Sequence, residues 1–261
     1  MSAPGRLGKW VSALVALLVA IACGLANAPA TWLDALASAA TSGRFRLAEA
    51  QGTIWRGSGR IVWADIGDTA ETRLSLSGVA LPGRVIWQLS PAALLIGLVE
   101  ASLQIDGMPQ PVAVQGSFSK WRVANGRLEL PRFELSSLGS PWNTIRPAGA
   151  LALSWNNVVL ERGQFEGSVM IELRSVASAL STVRPLGSYR IEIRGESGVA
   201  QVAITTLEGA LLLTGNGSVG ARGLGFVARA RPAEAGDERL RSLLGLMGSR
   251  EGDATIIRIG S

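Results

Sequence analysis

The stretch "SYRIEIRG", Ser188 to Gly195, decides the fold. Tyr189, Ile191 and Ile193 alternate with Arg190, Glu192 and Arg194. A period of two puts the apolar side chains on one face of a strand and the charged ones on the other. One wet face and one buried face point to an antiparallel sheet, because parallel sheets are covered on both sides. The same texture runs through the flanking chain. "TRLSLSG" (72–78) alternates Leu74 and Leu76 with polar neighbours. "RLELPRFEL" (127–135) alternates Leu128 and Leu130, then shifts phase at Pro131 to Phe133 and Leu135. Turn residues recur between these runs, which predicts a long meander rather than βαβ units.

Three segments share an order of proline, glycine, strand: "LPGRVIWQL" (81–89), "RPAGALALSW" (146–155) and "RPLGSYRIEI" (184–193). Proline ends a connection and glycine admits the turn before a new strand. Short helical patches are expected in "SPAALLIGL" (90–98) and at 178–183 within "SVASALSTV". "PATWLDALASAATSG" (29–43) places Trp32, Leu33, Leu36 and Ala40 at helical spacing, with Pro29 opening and Gly43 closing the helix. "DERLRSLLGLMGSR" (237–250) carries a stripe of Leu240, Leu243, Leu244 and Met247, with Asp237 as cap and Gly248 as stop. This helix is expected to cover an open end or face of the sheet. A last strand, "ATIIRI" (254–259), follows it.

The front of the chain is different. "WVSALVALLVAIACGLA", Trp10 to Ala26, is uncharged and follows Arg6 and Lys9. Such a run is a signal peptide or a membrane anchor. The good small-x-small site ends at Ala28 and is followed by Pro29, which blocks signal peptidase. Trp10 and Trp32 lie about 33 Å apart along a helix, the spacing of two interfacial tryptophans around a bilayer core. Cys23 in "AIACG" suggests a lipoprotein site, but Ala20 stands where leucine is usual, and the cysteine reads as a small apolar residue. The expectation is a cytoplasmic N-terminus with a single transmembrane anchor at 1–28. Trp10 and Trp32 then sit at the membrane interfaces, and a periplasmic, mostly β domain fills 29–261.

Composition removes several kinds of chemistry. Among 261 residues there is no histidine and one cysteine, so the common general base, the common metal ligand and an internal disulfide are all missing. The net charge of +5 is almost wholly arginine, scattered through strand-like segments without a basic run, so nucleic acid is not an expected partner. "GNGSVG" (Gly215–Gly220) matches GxGxxG, but no βαβ unit surrounds it. It reads instead as a hairpin turning at Asn216-Gly217. "SFSK" (Ser117–Lys120) matches the serine–lysine acylation motif, but it continues the strand "VAVQG", where its two ends point to opposite faces. Asp65, Asp68 and Glu71 lack calcium-loop spacing. No catalytic, metal-binding or cofactor-binding residue is expected, and no small-molecule substrate.

One dense motif remains, "EAQGTIWRGSGRIVWAD" (Glu49–Asp65). It has the composition of a β-hairpin: Ile54 and Trp55 on one arm, Gly57-Ser58-Gly59 at the bend, Ile61 to Trp63 on the other arm. In one reading the hairpin pins the helix near the anchor to the sheet. In the other, Trp55, Arg56 and Trp63 are an interaction surface, because Trp and Arg dominate interface hot spots.

Taken in order, "PATWL", "GRFRLAEAQGTIWRGSGRI", "LPGRVIWQL", "RPLGSYRIEI" and "PAEAGDERLRSLLGLMGSREGD" resemble the protein N family of the bacterial type II secretion system. The resemblance covers about residues 10–260 and is most specific in "GTIWRGSGRI" and "LRSLLGLMGSREGD". It implies one N-terminal span in the inner membrane and a single periplasmic β-rich domain. That domain would serve, with other secretion subunits, the export of folded proteins across the outer membrane. It brings no catalytic residues to carry over. The sheet pattern is also similar to anchored AsmA-like proteins, whose curved sheets form an apolar groove for lipid. The two readings part on the apolar face: covered by helices it suits a scaffold, open as a trough it suits lipid.

Overall fold

The computed structural model describes residues 6–43, 45–64, 78–80, 83–134, 145–220, 223–234 and 238–260. Helices α1 (Arg6–Ala26) and α2 (Thr31–Ala40) precede the sheet. The first strands are β1 (Phe45–Gly52), β2 (Arg56–Ala64), β3 (Gly78–Ala80) and β4 (Val85–Leu89), followed by the one-turn helix α3 (Pro91–Leu94). Next come β5 (Val99–Ile105), β6 (Val112–Gly116), β7 (Lys120–Val123) and β8 (Gly126–Glu134). The long strands follow: β9 (Ala148–Glu161), β10 (Gln164–Ala177), β11 (Gly187–Glu196), β12 (Val199–Gly209), β13 (Leu211–Gly220) and β14 (Gly223–Pro232). A 3-10 turn (Glu238–Leu240) leads into α4 (Arg241–Met247), then β15 (Ser249–Glu251) and β16 (Ala254–Ile259).

Among the described residues, sixteen strands belong to one sheet, and every recorded pairing is antiparallel. The path runs β1-β2-β4-β5-β6-β7-β9-β10-β11-β12-β13-β14-β16-β15 and does not close. β7 and β8 lie end to end along β9, and β4 and β3 share one flank of β2. The mostly β, antiparallel reading is borne out. So is the phase shift at Pro131: the register of β8 slips between Leu130 and Phe133, and Leu128, Leu130 and Phe133 are all buried. The extra residue of such a bulge lets the strand turn its apolar face back inward after the proline.

The register divides the loops between two ends of the sheet. Gly52↔Gly57, Leu89↔Ala101, Val99↔Gly116 and Lys120↔Glu161 place the turn at 53–55, the α3 loop and the turns at 117–119 and 162–163 together, at what we call the proximal end. The distal end holds the segment 178–186 and α4. There Leu186, Leu211, Ala230, Leu240 and Leu243 form a buried cluster, with Leu180, Val183, Leu244 and Met247 packed against it. The expected leucine stripe of the C-terminal helix is therefore the core of this cap. The cap at Asp237 lies outside the described residues, as do Leu74, Leu76, Leu135, Asp65, Asp68 and Glu71.

Several local expectations are corrected. Residues 178–183 are a turn, not a helix. Ser178 Oγ accepts from the Leu180 N–H and Ser181 Oγ from the Val183 N–H, so the serines take up backbone donors that a helix would use. Asn216-Gly217 sits inside β13, paired with β12 and β14, because a Cβ at Gly215 would lie 2.6 Å from the Ala228 Cβ: these glycines admit a close neighbour rather than a turn. Ser117 has left the strand and its N–H donates to the Lys120 carbonyl at 2.8 Å, while Lys120 opens β7 with its ammonium on Glu161 at 2.7 Å. In α2 the half-buried face is Leu33, Asp34, Ala37 and Ser38, while Trp32 and Leu36 are exposed.

α1 is 21 residues long, but its side chains at 6–9, 11–13 and 22 lie outside the described residues. Among the described residues no helix is long and apolar enough to cross a membrane. The span expected over Trp10–Ala26 is thus not established by the fold.

Candidate interaction surface at the proximal end

The described part of this motif, residues 49–64, folds as a hairpin, but its bend is not the glycine triplet. The chain turns at Gly52–Trp55, with Gly52 at φ +87°, a conformation that glycine adopts without a Cβ clash. The Thr53 N–H donates to the Arg56 carbonyl at 2.9 Å and closes the turn. Gly57 and Gly59 lie within β2. A Cβ on Gly57 would collide with the Trp87 indole opposite it on β4, and one on Gly59 would sit 2.8 Å from Leu47 Cδ1. Gly116 and Gly126 are likewise overlain by Trp121 and Trp155, their cross-strand partners. The front half thus packs indoles into gaps that glycine leaves, which gathers tryptophan and glycine into the same segments.

The hairpin turn holds the end of α1. The Ile54 N–H donates to the Ala28 carbonyl at 2.9 Å, and the Ala30 N–H to the Gly52 carbonyl at 3.1 Å. The half-buried Trp55 donates its indole N–H to the Leu25 carbonyl at 2.8 Å, satisfying one of the carbonyls that a helix end leaves without a partner. α2 then runs beside β1. The Asp34 carboxylate accepts from the Leu47 N–H at 2.7 Å and from the Arg46 guanidinium at 2.9 Å. Hydrogen bonding to Arg46, with the Leu47 N–H as a smaller contribution, holds the Asp34 carboxyl below its ordinary range despite some burial. Covering β1 in this way blunts one edge of the sheet. The other edge, β15, is three exposed residues, two of them charged.

Between the α1 end, α3 and strands β4 to β6 lies a cavity of about 1170 Å³, lined mostly by apolar groups. Leu25, Trp55, Leu89, Leu94 and Leu95 form its apolar wall, and Arg56 stands at its edge. Leu95 is 88% exposed and Ile96 74%, so the α3 loop projects past the sheet.

The three candidate residues are not one patch. Trp55 is a pin between helix and hairpin. Arg56 is exposed at the cavity. Trp63 is seven residues further along β2, about 23 Å at strand rise, where it pairs with Phe45 and Val79. Trp10 and Trp32 are both exposed, and the Trp32 N–H donates to the Pro29 carbonyl beside the hairpin turn. The α3 tip and Phe118 are exposed apolar features that sequence reasoning misses. The signals were an apolar run "ALLIGL" after a helix-opening proline, and a phenylalanine between two serines in a turn. Among the described residues no group of His, Cys, Asp or Glu is placed to hold a metal.

A family model for type II secretion system protein N matches residues 43–257. The chain belongs to this family. No curated protein and no solved structure matches it. The match takes in the hairpin, the cavity strands and the leucine-rich cap of this protein N family member, and leaves α1 and α2 outside.

Proposed function

We propose that this family member is a non-catalytic interaction subunit of the type II secretion machinery. It is held in the bacterial inner membrane by a single N-terminal span and works from the periplasm through a bent antiparallel sheet. The observation that carries this reading is the distal cap. α4 and the 178–186 turn cover the distal end of the apolar face at Leu186, Leu211 and Ala230, which supports a rigid scaffold, while Ile191, Ile193, Ile204 and Leu213 further along the strands are half-buried. The span rests on the uncharged run Trp10–Ala26, which α1 forms as a single helix, and on Arg6 and Lys9 before it. Arg56 and Trp63 offer docking residues at the two ends of β2.

A second reading, lipid handling, is favoured by one feature: the cavity at the proximal end is apolar and opens beside α1. Photo-crosslinking amino acids placed at Arg56 and Trp63 in secreting cells separate the two. Capture of another secretion subunit supports the scaffold. Adducts with phospholipid alone overturn it.

A further inference from the structure

We infer that the proximal end of the sheet touches the bilayer directly, through the α3 loop and the 117–119 turn. This inference rests on the anchor proposed above. Three separate observations converge on it.

The first is position. α1 ends at the hairpin turn, where Leu25 and Ala28 accept hydrogen bonds from Trp55 and Ile54. If α1 is embedded, the plane at which it leaves the membrane passes close to this turn. Leu25, Leu94 and Leu95 line one cavity, so the α3 loop lies at the same level. Val99 pairs with Gly116, and Leu98 and Ser117 line a second hollow of about 190 Å³, which places the 117–119 turn beside the α3 loop.

The second is chemistry. Leu95 and Ile96 project into solvent, and Phe118 at the tip of its turn is fully exposed. Trp32 is exposed at the start of α2, next to the same hairpin. Large apolar side chains at loop tips are costly in water but favourable 5–10 Å into the headgroup boundary, by the ~25 cal/mol per Å² that apolar burial returns.

The third is charge. Arg56 and Glu100 line the cavity, and Lys120 and Arg122 line the hollow under the tips together with Glu100. Lys120 is paired with Glu161 at 2.7 Å, so Arg56 and Arg122 stand against one carboxylate, Glu100, a small positive balance beside an anionic headgroup layer. An apolar tip with arginines near its base meets a lipid surface better than it meets open solvent.

The test uses the full chain in vesicles of phosphatidylethanolamine and phosphatidylglycerol, without other secretion subunits. Leu95→Cys, Phe118→Cys and Asp253→Cys, each combined with Cys23→Ser, carry an environment-sensitive fluorophore, and the lipids carry a shallow nitroxide. All three sites are exposed, so labelling leaves packing intact. The expected result is a blue shift and loss of emission at 95 and 118, with emission at the distal residue 253 unchanged. Labels at 95 and 118 that behave like the one at 253 overturn the inference. So do labels that leave water only when a secretion subunit is added. A label on native Cys23 distinguishes the two levels: quenched Cys23 with unquenched 95 and 118 leaves the anchor standing and removes the loop contact, while unquenched Cys23 removes both.

Discussion

The two ends of this sheet are built from different materials. At the distal end aliphatic side chains from α4, the 178–186 turn and the long strands close on one another, and Leu240 and Leu243 are almost wholly buried. At the proximal end the front strands pack indoles against glycines, surround an open cavity, and extend Leu95, Ile96 and Phe118 outward. Packed aliphatic layers hold a shape, whereas open apolar surface is kept for a partner. Close aliphatic packing is thus concentrated at one end of the strands and open apolar surface at the other.

The largest effect should come from opening the closed end. Leu243→Ala is expected to cost about 3 kcal/mol, lost burial plus a cavity, in urea unfolding of the full chain in detergent. A cost below about 1 kcal/mol would show that the cap is not the core. Next is Gly57→Val, whose branched side chain meets the Trp87 ring and the Gln51 carbonyl. It should lose about 2 kcal/mol in the same measurement and shift Trp87 fluorescence, placing part of the front half's stability in its indole–glycine pairs.

Smaller is the α2 clamp. Asp34 has a folded pKa held down by Arg46 and the Leu47 N–H, so it stabilises the fold above its unfolded pKa, near 3.9. That contribution is lost as pH falls below about 4 and through the lower folded value. Asp34→Asn should cost about 1 kcal/mol at neutral pH and make this part of the acid response flat. An unchanged acid transition would detach α2 from the stability of β1. Smallest is Leu95→Ala, expected within about 0.5 kcal/mol because the side chain packs on little. A large loss there would mean that the proximal tip belongs to the core after all.

Much of the distal end is legible in sequence because its signals are local. "SYRIEIRG" becomes β11, with Tyr189 buried and its hydroxyl donating to the Leu211 carbonyl at 3.0 Å. The stripe at Leu240, Leu243, Leu244 and Met247 becomes the cap for the same reason: one period, one face. The proximal end is legible only in part. The sequence leaves two readings of the hairpin open, a pin for the helix at 29–43 or an interaction surface; in the structure Trp55 holds the end of α1, and α2 is held by β1 through Asp34. The bend lies at Gly52–Trp55 and not in "RGSGR", since Gly57 there answers to the Trp87 indole from β4, distant in sequence. Asn216-Gly217 likewise forms strand and not a turn, because the neighbour that excludes a side chain there lies on β14.

Sequence by itself determined the secondary structure type, the antiparallel pairing and the membership of the protein N family, because alternation, turn residues and motif order are written along the chain. Tertiary structure alone decided which glycines make room rather than turns, which face of α2 packs, and that the α1 end, the α3 loop and Phe118 meet at one end of the sheet. Those facts depend on which strands become neighbours, and pairing between distant segments leaves no mark on either segment alone.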